Sequence, residues 1–208
     1  MSEYKKVGIL GGTFDPIHLG HLIIANQART QFDLTTVLIM PTNEPPHKIN
    51  QVITPASHRN KMVQLAIEDN KHFKLSTIEQ ERKGTTYTSD TLTQLCENNP
   101  NCRYYFILGY DSLAYIDSWH RPDYIFNSAV ILVALRNNEN IETVQQQISF
   151  LEDKYNGEIH LLNIPNINVS SEFIRNRVIE KESISYFVPK DVEKYIYVNS
   201  LYRLEENK

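Results

Sequence analysis

One stretch near the start constrains this chain more than any other: positions 11–21 read Gly-Gly-Thr-Phe-Asp-Pro-Ile-His-Leu-Gly-His. A short apolar run at 7–10 precedes it and a helix-like stretch at 22–32 follows. Strand, glycine-rich turn and helix, in that order, aim backbone N–H groups and a positive helix end at a phosphate. His18 and His21 stand three residues apart. If the first helical turn begins near them, both rings share one face, about 5–6 Å apart at Cβ. Gly20 between them has no side chain, so a ligand can approach the backbone. Two imidazoles beside a phosphate pocket can donate hydrogen bonds to a charged pentacoordinate phosphorus.

The rest of the chain alternates between strand-like and helix-like stretches. Residues 37–40 are a continuous apolar run suited to a strand buried on both faces, and 104–108 and 130–134 are two more. Residues 73–78 and 160–164 are shorter strand candidates. Thr54 reads as an N-cap with Pro55 in the first helical position. Residues 85–90 lead into a helix through Leu92 and Leu95, Val169-Ser170-Ser171 starts another, and Pro189 starts the last. Ile141, Val144, Ile148, Leu151 and Tyr155 recur at spacings of three and four, the stripe of an amphipathic core helix. The expected fold is α/β: a Rossmann-like parallel sheet with helices on both faces, in a single domain over 1–208. Ligands of such sheets bind beyond the carboxyl ends of the strands, where strand order switches. The unusual residues fall after strands, which points to one site.

A formal charge of −4 argues against a nucleic-acid-coating role, although a small anion needs only a local positive pocket. Cys96 and Cys102 sit six apart in no metal or redox pattern, as in a reduced cytosolic chain. No run approaches the roughly 20 apolar residues of a membrane span. The expected location is the cytoplasm, without a membrane or nucleic-acid partner. Neither a Gly-x-Gly-x-x-Gly fingerprint nor a Walker lysine pattern is present, so dehydrogenase and P-loop readings are poor.

Other residues admit two readings each. Pro45-Pro46-His47-Lys48 alone reads as an extended solvent loop. A lone Trp119 is most often core, and Asp111 suits an N-cap. Ser170 and Ser171 are common helix caps; with Arg175 one turn on, they also make an anion site. Arg136 and Arg177 are surface cations by default. His18 and His21 as a zinc pair lack further ligands nearby.

The eleven-residue motif resembles the signature of nucleotidyltransferases that carry His-x-Gly-His, and the whole chain resembles the nicotinate-nucleotide adenylyltransferase family. Three further stretches carry the likeness. They are Pro45-Pro46-His47-Lys48, Tyr87-Thr88 with Gly109-Tyr110-Asp111 and Trp119, and Ser170-Ser171-Glu172-Phe173-Ile174-Arg175. Glu172 stands where the family has Thr; a carboxylate suits a helix N-terminus if it faces solvent. The resemblance implies transfer of AMP from ATP to nicotinate mononucleotide, giving deamido-NAD and pyrophosphate by in-line attack of the substrate phosphate without a covalent intermediate. It implies catalytic roles for His18, His21, Lys48 and Arg175. ATP would also meet Gly11, Gly12, Thr13, Phe14, Gly109, Asp111, Ser170 and Ser171. Asp15, Tyr87, Thr88, Trp119, His120 and Arg136 would meet the nicotinate nucleotide, with Trp119 stacked on its ring. Mg²⁺ would come bound through ATP phosphates, and a homo-oligomer is left open. The alternatives are the amidated nucleotide or phosphopantetheine as acceptor, a nucleotide-binding protein without turnover, and a metal-dependent hydrolase built on the two histidines.

Overall fold

The apolar runs lie side by side in a computed structural model of the chain, which describes residues 4–42, 53–82, 84–135 and 140–203. Strands β1 (Lys5–Gly12), β2 (Thr36–Pro41), β3 (Phe73–Leu75), β4 (Cys102–Gly109), β5 (Ala129–Ala134) and β6 (Ile159–Leu162) form one sheet ordered β3-β2-β1-β4-β5-β6. Every pairing is parallel. Parallel neighbours need crossovers, and helices supply them. The crossovers carry α1 (Leu19–Gln31), α2 (Ala56–Ile67), α3 (Thr88–Asn98), α4 (Tyr110–Tyr115), α5 (Pro122–Ser128) and α6 (Ile141–Tyr155), and α7 (Ser171–Ile179) and α8 (Lys190–Val198) follow the last strand. The architecture is the expected Rossmann-like one, and its strand order switches between β1 and β4.

Successive strand residues feed opposite cores. Leu10, Tyr105, Ile107, Val130 and Leu132 pack with apolar residues of α1, α2, α7 and α8. Ile9, Tyr104, Phe106, Leu108, Ile131 and Val133 pack with those of α3, α4, α5 and α6. Burial on both faces is why these strands read as unbroken apolar runs. Among the described residues, no helix is long and apolar enough to cross a membrane.

Several local expectations are corrected. The two glycines after residue 10 lie within β1 and pair with Met40 and Pro41; the turn comes later, around Asp15 and Pro16. Thr54 is not the N-cap of α2. Pro55 holds that position, because the Thr54 N–H goes to Asp15 Oδ2 and its carbonyl accepts from Arg59 Nε. The third strand stops at Leu75, where the chain folds into a turn closed by Gln80 and Glu81 N–H on the Thr77 carbonyl. Ile141 is half exposed because α6 buries only Val144 and Leu151 fully. Two short helices, α4 and α5, have too few turns to show a periodic pattern.

Candidate active site

The carboxyl ends of β1 and β4 open into a cavity of about 430 Å³, a size suited to a small organic ligand. Gly11, Gly12 and Thr13 border it at the end of β1, and Gly109 and Asp111 at the end of β4. His21 reaches it from α1, Thr88 and Thr91 from α3, and Trp119 from the turn before α5. Gly11 is exposed there, and a Cβ on it would meet only Phe106, at 3.9 Å. Its bareness leaves room in the cavity rather than in the core.

His18 is the N-cap of α1 and His21 its third residue. The His21 N–H donates to His18 Nδ1 at 3.4 Å, and the His18 N–H donates to His21 Nδ1 at 3.3 Å. This is the reciprocal logic of a capping box, made with two imidazoles. The rings stack with centroids 3.6 Å apart. Because each Nδ1 accepts, the proton of each neutral ring sits on Nε2, as a donor needs. Phe14, buried at φ 50°, meets the His21 ring edge-on at 4.9 Å. A Cβ on Gly20 would come within 3.0 Å of His18 Nδ1. Gly20 is thus bare for the histidine ring as well as for any ligand. His18 itself is buried and borders a neighbouring small pocket shared with Ile164 and Val169.

The loop between β1 and α1 is held at Asp15, whose carboxylate is buried. Asp15 Oδ1 accepts from the Tyr202 hydroxyl at 2.7 Å and Oδ2 from the Thr54 N–H at 3.0 Å. Its backbone carbonyl accepts from Arg175 Nη1 at 2.7 Å, and the Pro16 carbonyl from Ser171 Oγ at 2.8 Å. Arg59, fully buried, donates Nη1 to the carbonyls of Thr13 and Thr42. Burial lowers the Arg59 pKa, and the Asp15 charge pulls it back up. Burial also pushes the Tyr202 phenol well above its ordinary range, with the Asp15 charge adding to the effect.

At the other end of the cavity, Trp119 follows the single turn Ile116–Ser118, and its N–H donates to the Ile116 carbonyl at 3.0 Å. Phe106 of β4 stands edge-on to its ring. Asp117 in that turn accepts from Lys154 and Tyr155 of α6. Tyr87 is the N-cap residue of α3, and its ring lies 4.6 Å from that of the exposed His120.

The structure therefore brings Gly11, Gly12, Thr13, His21, Thr88, Gly109, Asp111 and Trp119 to one cavity. His18 and Phe14 stand behind His21. Asp111 is in the first turn of α4, while Gly109 takes the N-cap. Asp15, Ser170, Ser171 and Arg175 do not border that cavity, and their hydrogen bonds run to protein groups. Asp15 is tied to Thr54 and Tyr202, Ser171 and Arg175 hold the loop, and Ser170 Oγ caps α7 by accepting the Phe173 N–H at 3.1 Å. Glu172 is exposed, as a carboxylate in the first turn of α7 should be. Lys48 and Arg136 lie outside the described residues.

Sequence reasoning passes over four residues of this assembly. Arg59 and Tyr202 act through contacts far along the chain. Glu79 lies in the charged run Glu79-Gln80-Glu81-Arg82, which reads as solvated. Thr91 alone had a signal, since it shares a helix face with Thr88 three positions before it.

Residues 9–177 match a family model described as Cytidylyltransferase-like. A protein of Lachnoclostridium phytofermentans named probable nicotinate-nucleotide adenylyltransferase is 41% identical over 198 residues, covering 95% of this chain and 99% of that one. The chain belongs to the nicotinate-nucleotide adenylyltransferase family. It is thereby an enzyme of the nucleotidyltransferase class, as the signature at 11–21 led us to expect. A nicotinate-nucleotide adenylyltransferase relative in Thermomicrobium roseum, also named probable, is 40% identical over 97% of this chain and 94% of its own. The fold agrees with that of Plasmodium falciparum nicotinic acid mononucleotide adenylyltransferase complexed with NaAD, at TM-score 0.79 and 21% identity over 96% and 98% of the two chains. Nucleotidyltransferases of this kind generally use a divalent metal.

Proposed function

We propose that the chain joins ATP to nicotinate mononucleotide, giving deamido-NAD and pyrophosphate in NAD biosynthesis. The observation that carries this reading is that His21 and Trp119 line the same cavity. In this reading His21 serves the phosphates and Trp119 the aromatic ring of ligands bound in that one cavity.

The nicotinate nucleotide's phosphate oxygen attacks the α-phosphorus of ATP, the bond to the β-phosphate oxygen breaks, and pyrophosphate leaves in line. No side-chain nucleophile takes part. Catalysis is then the alignment of two polyanions and the stabilisation of charge at the transferring phosphorus. The Nε2–H groups of His18 and His21 donate to phosphate oxygens, with Lys48 on the triphosphate. Arg175 and Ser171 keep the loop in place, and the other guanidinium donors of Arg175 remain to add positive charge. Gly11, Gly12 and Thr13 give ATP backbone access beside Asp111 and Gly109. Trp119 stacks on the pyridine ring. Thr88 begins α3, whose N-terminal amides suit the ring's carboxylate and favour an acid over an amide. Tyr87 and His120 complete that end, and Arg136 is assigned to the nicotinate nucleotide from the sequence.

Among the described residues no three His, Cys, Asp or Glu side chains cluster as a metal site. Asp111 and Glu79 are the acidic groups on the cavity. That donor set fits Mg²⁺ brought in with ATP, and the ion would supply positive charge to the triphosphate there.

The test is pyrophosphate release from ATP and Mg²⁺ with nicotinate mononucleotide, run beside nicotinamide mononucleotide. Faster turnover with the acid is expected. Equal rates, or release with the amide alone, would remove the acceptor assignment; no release with either would remove the activity.

A further inference from the structure

One buried acidic side chain on the cavity is given no contact with either substrate in the reaction above. Glu79, on the turn after β3, is 8% exposed. Its Oε1 accepts from Thr91 Oγ at 2.9 Å, and its Oε2 lies 3.5 Å from Thr86 Oγ. The guanidinium of Arg82, three residues on, donates to the same Thr91 hydroxyl. Burial pushes the Glu79 carboxyl above the usual carboxylate range, with Thr91, Arg82 and Thr86 pulling the other way.

A buried acid with a raised pKa works against the folded state, and an amide of the same shape would serve packing as well. Its partners show what it holds. Thr86 and Thr91 bracket Tyr87 and Thr88, the start of α3. Tyr87 makes no side-chain cap to that helix, so the end is fastened from outside. Thr88 lines the cavity, and Tyr87 packs on His120, next to Trp119. A carboxylate near a helix N-terminus is also electrostatically matched to it.

We propose that Glu79 is a positioning residue for the acceptor: through Thr86 and Thr91 it sets the start of α3 against Trp119, so that the pyridine ring and its carboxylate meet a preformed end of the cavity. This rests on the reading of the cavity as the site for ATP and nicotinate mononucleotide. Steady-state kinetics on the full chain with Mg²⁺ test it, using wild type, Glu79→Ala, Glu79→Gln, Thr91→Val and Thr91→Ser. Glu79→Ala and Thr91→Val should raise KM for nicotinate mononucleotide about tenfold while KM for ATP stays within about twofold. Thr91→Ser keeps the hydroxyl and should behave as wild type. Glu79→Gln should melt no lower than wild type and still bind the acceptor more weakly, which keeps the test open if Glu79→Ala does not fold. The proposal is overturned if Glu79→Gln keeps the wild-type KM for the acceptor, if both KM values rise together, or if Thr91→Ser is as impaired as Thr91→Val. Wild type that releases no pyrophosphate would instead bring down the functional reading, and this inference with it.

Discussion

His18 and His21 each take the other's backbone N–H on Nδ1, and their rings lie stacked with centroids 3.6 Å apart. The cap of α1 and the pair of histidines we propose as phosphate donors are therefore one object. The hydrogen bonds that start the helix also decide which ring nitrogen carries the proton. A substitution at either position removes a donor and half a cap together.

For His21→Ala we expect kcat to fall roughly 10²–10³-fold, the effect of losing one preorganised donor. The lost cap should also cost about 1 kcal/mol of stability. Pyrophosphate-release kinetics and urea unfolding measure the two effects separately. Near-wild-type turnover would discard the role of this ring.

Gly20→Ala should separate fold from activity. An Ala stabilises a helix interior by up to about 1 kcal/mol over Gly. The new Cβ would crowd the His18 ring, which stands 3.0 Å from its position. The expected variant unfolds at about the same urea concentration as wild type but turns over roughly tenfold or more slowly, since small misplacements of catalytic groups are costly. An unchanged kcat would show that the His18 ring can move without consequence.

Tyr202→Phe leaves the buried Asp15 carboxylate without one of its hydrogen bonds. The expected loss is about 1–3 kcal/mol, read as a lower urea midpoint, together with a lower kcat as the loop before α1 loosens. A midpoint equal to that of wild type would mean that Asp15 is satisfied without the phenol.

The raised pKa of Glu79 fixes the sign of a pH effect. Folding disfavours its charged form, so its contribution is most favourable below the unfolded-chain value of about 4.3. That contribution is lost as pH rises through the folded-state pKa. Relative to Glu79→Gln, wild type should lose stability as pH rises from the unfolded-chain value through the raised folded-state pKa. Parallel stability curves for the two proteins would contradict the burial argument.

The sheet was legible because β1, β2, β4 and β5 are buried on both faces and show as unbroken apolar runs. Periodicity found α6 but placed Ile141 inside, since a stripe marks a face and not how far along the helix the core extends. The histidine motif pointed to the helix start that borders the cavity, yet the two imidazoles capping one another lie outside the usual Ser, Thr, Asp and Asn vocabulary of caps. Ser170, Ser171 and Arg175 were visible as polar groups at a helix start. The partners of Ser171 and Arg175, the carbonyls of Pro16 and Asp15, are backbone atoms that no side-chain pattern reports. Glu79 was hidden by its neighbours: a charged run gives no sign that one of its members turns inward.

Asp15 and Tyr202 are 187 positions apart in the chain. On the ribosome, β1 can pair with β2 and then with β4 as each emerges, but the latch on the loop ahead of α1 cannot close until synthesis has passed Tyr202. The loop that leads into the two histidines is in this sense fastened later than the sheet it leaves.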